Sequence, residues 1–370
     1  SEVEALLSMR NGKNLLNDNN INVDAIAKYL SFMWCPGEET PLKSLKKVHP
    51  GEYILIKDGL IVNREKWYKS TSSFFYNKLK NNINSKSYFV EKTREYLKNS
   101  VERQLISDVP VGIFLSGGLD SSLIAALAHN AADLAGKPTP ECWTVADSED
   151  NVDLQASIMV AENQDLGHHI HIMDESTMWK KLPEFVWNGE DLDITVMFWQ
   201  SVFEQMKGNV TVALCGQGAD ELHAGYSRYR ALTEHSNVVK SRLSLAGQIS
   251  ISENDRGLGK PWSSDSIMPE NNFANLSDTL EFEQSRGQMS NFQLRLGDRH
   301  SMAQGLEARV PFLGMCHANL ANQLPLSWRL SNDDEKMALR AAADLTSLPK
   351  EIVRRPKLPA GTATSPTLVS

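Results

Sequence analysis

The spacing of apolar positions changes several times along the chain, and each change marks an element. Residues 1–68 read as small strands and turns around one short helix. Glu52-Tyr53-Ile54-Leu55-Ile56, the turn Lys57-Asp58-Gly59 and Leu60-Ile61-Val62 form a hairpin signal. Asp24 to Phe32 places Ile26, Ala27 and Leu30 at helical spacing. Residues 69–87, rich in Ser, Asn and Lys, predict a linker. From Tyr88 to Ile106 the stripe Phe89, Val90, Thr93, Leu97, Val101 and Leu105 predicts an amphipathic helix. Val111 to Leu115 then runs apolar without alternation, as a buried parallel strand does. Cys142–Val145, His169–Ile172 and Val210–Leu214 are further strands, alternating with helices such as Val152–Gly167. This alternation predicts an α/β domain with a doubly wound parallel sheet over residues 88–358. Within it, residues 236–277 read as a polar excursion and the stretch to about 348 as a helical lobe. Leu358 to Ser370 is small and polar, so residues 359–370 are expected to be a flexible tail.

Composition narrows the partners more than the fold. The 370 residues are 41% hydrophobic and 23% charged, ordinary for a globular chain and enough for about two domains. A net charge of -8 argues against sequence-independent nucleic-acid binding. No stretch approaches the roughly 18 apolar residues of a membrane span, and mean hydropathy is -0.35. Cys35, Cys142, Cys215 and Cys316 are far apart with no CxxC pair, which predicts free buried thiols and a cytoplasmic location. The chain begins at Ser1 without Met or a signal-like segment, which reads as a processed protein or a fragment.

The string Leu115-Ser116-Gly117-Gly118-Leu119-Asp120-Ser121-Ser122 carries the chemistry. It lies between a buried strand and a helix. Gly117 and Gly118 let the backbone turn tightly and approach an anion, and the following helix N-terminus adds its dipole. Ser116, Ser121 and Ser122 add hydroxyls. The Walker Gly-Lys-Ser/Thr is absent. Asp120 would repel a polyphosphate unless a cation lay between them, so it implies Mg2+. The alternative is a plain strand-to-helix turn with a capping Asp. The string resembles the pyrophosphate loop of the N-type ATP pyrophosphatases, which cleave ATP between the α and β phosphates.

Three more strings occur in order: Cys215-Gly216-Gln217-Gly218-Ala219-Asp220-Glu221-Leu222 with Ala224-Gly225-Tyr226-Ser227-Arg228-Tyr229; Gly305 to Leu313; and Lys336, Leu339-Arg340, Leu348-Pro349 and Arg354-Arg355-Pro356-Lys357. Together they resemble the synthetase domain of the asparagine synthetase family, over about residues 85–358. The resemblance implies an adenine-nucleotide alpha-hydrolase-like fold that binds ATP and Mg2+. It implies that Asp120 and Asp220 hold the metal and pyrophosphate, and that Lys336 contacts the leaving pyrophosphate. The lesser alternative for Asp220 is a solvated turn carboxylate, and Lys336 read alone would be a solvated helix charge. Phe114, Leu115, Val145, Cys215 and Gly216 match positions around the adenine and ribose. Glu307 and Arg309 are expected to form a buried ion pair in the helical lobe, with substrate binding as the alternative.

Residues 1–68 also resemble the end of the family's glutaminase domain. Ser1-Glu2-Val3-Glu4-Ala5-Leu6-Leu7 matches its late strand and turn, and Val48 to Tyr53 and Lys66-Trp67-Tyr68 match the family's next segments. The bulk of that domain and its N-terminal Cys lie outside this sequence. The implied activity is adenylation of a carboxylate, with L-aspartate the first candidate. Ammonia, free or from a separate glutaminase chain or domain, then forms the amide. A homodimer is a candidate assembly.

The sequence departs from the family at four points. Gln217 stands where the family carries Glu, its favoured general base, and Gln cannot take up a proton near neutral pH. Gly314 replaces the usual Asp, and His223 and Ala224 replace Phe and Gly. These departures leave two further readings: an amide-forming synthetase of secondary metabolism, of the β-lactam or macrolactam type, and a nucleotide-binding subunit without catalysis.

Overall fold

The computed structural model describes residues 2–9, 16–35, 37–68, 86–234, 237–238, 241, 276–285 and 287–358. Ser1, most of the predicted linker, nearly all of the polar excursion 236–277 and the tail 359–370 lie outside the described residues. The chain divides into two compact units, residues 1–71 with 231–294, and residues 72–230 with 295–370.

The first unit holds α1 (Val3–Leu7), α2 (Val23–Phe32) and the antiparallel strands β1 (Glu52–Lys57) and β2 (Leu60–Lys66). Asp58 and Gly59 both take positive φ, 52° and 77°, as a tight two-residue turn between right-twisted strands requires. The expected strand and turn at residues 1–7 is corrected to the helix α1. Val3, Leu6 and Leu7 share the i, i+3, i+4 spacing of a helix face, which outweighs the resemblance there.

The second unit is built on a five-stranded parallel sheet in the order β5-β4-β3-β6-β7. Its strands are β3 (Val111–Phe114), β4 (Glu141–Ala146), β5 (His168–Ile172), β6 (Val212–Leu214) and β7 (Glu307–Arg309). The last of these is a correction, because Glu307 and Arg309 are expected from the sequence in the helical lobe. Three residues with charged ends give no strand signal; their ladder to Val212, Ala213 and Leu214 makes the strand. Nor is their ion pair buried. Arg309 Nε donates to Glu307 Oε1 at 2.8 Å, but the Glu307 side chain is 61% exposed. Arg309 also donates to the carbonyls of Gln104 and Ile106, tying this edge strand to the helix before the sheet.

That helix spans Lys86–Gln104 and buries the predicted stripe, including Phe89, Leu97 and Val101. Lys86 and Ser87, whose polarity suggests linker, are its first residues. Helices flank both faces of the sheet. Ile113, Leu115, Cys142 and Leu214 share one core with the helices Leu119–Leu134 and Val152–Asn163. By strand alternation Gly112 and Phe114 face the other way. Phe114 stacks on Phe198 at 6.2 Å, and a Cβ at Gly112 would overlap Trp143 and meet Met206. All four cysteines are free, but Cys316 is exposed rather than buried. Among the described residues no helix is long and apolar enough to cross a membrane.

Candidate functional site

The sheet order fixes where a site can form. From β3 the chain runs outward through β4 to β5, then returns to the other side of β3 as β6. Two adjacent parallel strands whose connections diverge leave a crevice at their carboxyl ends. The loops leaving β3 and β6 are the glycine strings 115–118 and 215–218.

In the first loop Gly117 takes φ +70°, and a Cβ there would lie 2.7 Å from the Ser157 amide. Only glycine fits both restrictions. Gly118 is the N-cap of the helix Leu119–Leu134, and no side chain caps it. Ser116 N–H donates to Ser121 Oγ at 3.1 Å, and the two hydroxyls lie 3.0 Å apart. Ser122 Oγ is fully buried with no hydrogen-bond partner, an orphan at the start of the helix. In the second loop Gly218 takes φ +90°, and a Cβ at Gly216 would lie 2.9 Å from Ser121 N and 3.0 Å from Asp120 Cβ. The absence of a side chain at Gly216 is what lets the two loops touch.

Asp120 and Asp220 therefore meet, both 8% exposed, around Lys336, which is 1% exposed. Lys336 Nζ donates to Asp120 Oδ1 at 2.8 Å and Oδ2 at 2.6 Å. It also lies 2.6 Å from Asp220 Oδ1, but off the line of a directed hydrogen bond, so that oxygen has charge contact without a donor. Lys336 sits at φ 55°, a left-handed backbone that a non-glycine residue adopts at a cost of about 1–2 kcal/mol. Burial raises the Asp120 carboxyl above its ordinary range; Lys336 opposes this and Asp220 reinforces it. Burial pushes Asp220 up as well, but Lys336 and Lys357 together outweigh it and hold that carboxyl low.

Lys357 is the residue that sequence reasoning leaves without a role. Its Nζ lies 2.9 Å from Asp220 Oδ2 and 5.9 Å from the centre of the Tyr226 ring. Burial disfavours its charge, yet Asp220 and Asp120 outweigh that and hold it protonated. The segment carrying it is anchored from both sides. Arg340 donates to the carbonyls of Val353 and Arg355 and pairs with Glu335, whose Oε1 accepts from Lys357 N–H at 3.1 Å. Arg355 donates to Gly117 O at 3.2 Å and lies 2.6 Å from Asp153, joining the same segment to the first glycine loop. Glu221 and Tyr226 complete this wall, with the Tyr226 hydroxyl donating to Glu221 Oε1 at 2.9 Å.

The other expected site residues are less uniformly placed. Phe114, Val145, Cys215 and Gly216 are at the carboxyl ends of β3, β4 and β6. The amides of Leu115 and Cys215 are already committed to the sheet, donating to Trp143 O at 2.9 Å and Arg309 O at 3.0 Å. Gln217 is half-buried in the second loop. Three of the departures have local causes. Ala224 takes φ 56°, which explains why glycine suits that position. A side chain at Gly314 would overlap Ser100 Oγ, which donates to Pro311 O at 2.6 Å. His223 meets His317, Nε2 to Nε2 at 3.0 Å, in a buried pair packed on Phe312.

Gly225 tests how tightly the charges are enclosed. A Cβ there would overlap Asp220 Oδ1 and Lys336 Cε. Gly225→Ala is expected to lower stability by about 1–3 kcal/mol through overpacking. A denaturant midpoint unchanged from the parent would show that the cluster yields freely.

Two buried carboxylates, one with an undirected oxygen, suit a hard cation completed by phosphate and water oxygens. Among the described residues no group of three or more potential ligands could hold a metal through the protein alone.

The chain is 26% identical over 388 residues to asparagine synthetase [glutamine-hydrolyzing] 1 of Bacillus subtilis, covering 92% of this chain and 59% of that one. It is 27% identical over 272 residues to the asparagine synthetase [glutamine-hydrolyzing] of Rattus norvegicus, covering 71% and 41%. The chain thus spans 59% or less of the length of these relatives. A solved NH3-dependent NAD synthetase from Campylobacter jejuni overlays 50% of this chain and 91% of its own, at 16% identity and a TM-score of 0.27. With residues 92–368 of 370 matched, the chain belongs to the asparagine synthase family.

Proposed function

We propose that this chain is an ATP-dependent amidoligase of the asparagine-synthetase type. The observation that carries the reading is the meeting of Asp120 and Asp220, 100 residues apart in sequence, on the shared ammonium of Lys336. A carboxylate oxygen of the acceptor attacks the α-phosphorus of ATP, the bond to the β-phosphate breaks, and pyrophosphate leaves. The loop Ser116–Ser122 holds the phosphates through its amides and the helix N-terminus. Asp120 and Asp220 would hold Mg2+, which when bound neutralises charge on the phosphate oxygens. Lys336 and Lys357 stabilise the charge that develops on the leaving group, in a crevice where water screens it little. Ammonia then attacks the acyl carbon, AMP leaves, and the nitrogen loses a proton. Phe114, Val145 and Gly216 line the nucleotide's base and ribose.

The relatives' names point to L-aspartate as the acceptor and glutamine as the nitrogen source, the latter through a glutaminase domain or chain. Gln217 favours a second reading. Without a carboxylate there, the deprotonation must fall to another group, or the amine must arrive neutral, and the acceptor can differ from aspartate. An ATP–pyrophosphate exchange screen with Mg2+ across carboxylate acceptors tests both readings. Exchange that depends on aspartate supports the first. Exchange with a different carboxylate, its product identified by mass spectrometry, supports the second. No exchange with any amino-acid carboxylate would sink the amidoligase reading.

A further inference from the structure

Leu115 is the last residue before the phosphate loop, and side chains from two strands secure its carbonyl. The regular β3–β4 ladder ends at Phe114 and Trp143. Beyond it, Thr144 Oγ1 lies 2.6 Å from Leu115 O, and the same hydroxyl lies 2.7 Å from His168 Nε2 on β5. Thr144 is 2% exposed and Leu115 fully buried. Counting protons fixes their positions. A carbonyl has no proton, so the single hydroxyl proton of Thr144 must lie toward Leu115 O. His168 Nε2 must then carry its own proton and donate it to Thr144. The Leu115 carbonyl shares a planar peptide unit with the Ser116 N–H, which donates to Ser121 Oγ at 3.1 Å. Holding the carbonyl therefore sets the direction of the first amide of the loop.

We propose that His168 and Thr144 are positioning residues for the phosphate loop: a donor chain from His168 through Thr144 to Leu115 O that orients the Leu115–Ser116 peptide and, through it, Ser121. The proposal rests on reading Ser116–Ser122 as the phosphate cradle. Burial lowers His168 to about 4, so its ring stays neutral near pH 7 and can hold one tautomer.

The test uses the whole chain and the variants Thr144→Val, Thr144→Ser, His168→Leu and His168→Gln. Nitrogen NMR shifts of His168 are expected to show the Nε2-protonated form. Hydrogen exchange at residues 116–118 is expected to quicken about tenfold in Thr144→Val, the size of one lost buried hydrogen bond, and to return toward the parent in Thr144→Ser. In pyrophosphate exchange, KM for ATP should rise about tenfold in Thr144→Val with kcat nearly unchanged, as expected for lost ground-state positioning. If Thr144→Val does not fold, His168→Leu against His168→Gln makes the same comparison, because glutamine keeps an N–H donor. An Nδ1-protonated ring, or loop amides that exchange alike in the hydroxyl-bearing and hydroxyl-free variants, would overturn the proposal. Absence of pyrophosphate exchange in the parent would instead count against the amidoligase reading, and the His168 nitrogen shifts and the hydrogen exchange would still decide the donor chain.

Discussion

Lys336→Ala is expected to cost about 3–5 kcal/mol of stability and to abolish pyrophosphate exchange. Breaking a buried ion pair from one side leaves the partner charge in low dielectric, and that penalty exceeds what an exposed pair contributes. Here the substitution strands two carboxylates, since Lys336 contacts both Asp120 and Asp220. Lys357 remains within reach of Asp220 alone among the contacts described. Asp120 already titrates above its ordinary value because burial outweighs its partners. Without Lys336 it should move further up. A carboxyl raised in the folded state binds more protons there than in the unfolded chain, so stability falls as pH rises through the interval between the two values. The deficit of Lys336→Ala against the parent should thus be smaller at pH 5 than at pH 8. Urea denaturation at both pH values checks this; an equal deficit at both would mean that neither carboxylate is stranded. The left-handed backbone of Lys336 makes no difference of its own, because alanine at φ 55° keeps the same strain as lysine.

Lys357→Ala should separate chemistry from folding. Removing one donor aimed at developing transition-state charge costs about 10²–10³ in kcat. The fold should lose no more than about 1 kcal/mol, the scale of a partly exposed ion pair. The reason is the anchoring of its segment, which does not depend on this side chain. Arg340 holds the Val353 and Arg355 carbonyls, and Glu335 accepts the Lys357 backbone amide. Exchange assays alongside thermal unfolding test this. A Lys357→Ala protein with parental turnover would remove Lys357 from the mechanism, and one that fails to fold would show that the segment depends on the Asp220 contact.

Local pattern carried the two aspartates. Each lies just past a glycine-flanked turn at the end of an apolar strand, and such turns are legible because few residues can make them. Lys336 stood out only through the resemblance of the ordered strings. Lys357 did not stand out, because a lysine in Arg-Arg-Pro-Lys reads as a solvated charge run. The edge strand Glu307–Arg309 was hidden for the opposite reason. Its sequence is polar, and only its partner β6 makes it a strand. The donor chain from His168 to Leu115 joins residues 24 and 29 positions apart on three neighbouring strands, so no local window contains it.

Periodicity and turn chemistry were thus enough to establish the parallel α/β domain, the glycine turn after β3 and the second aspartate loop, because those features depend on residues within one or two turns of each other. The tertiary structure decided what the carboxylates face. Strand order placed β3 beside β6, the bare backbone of Gly216 let their loops touch, and Arg340 and Arg355 brought Lys357 from near the C-terminal end to the same crevice. Charge at a buried site is set by neighbours from distant parts of the chain, and their distance is a property of packing that spacing along a sequence does not encode.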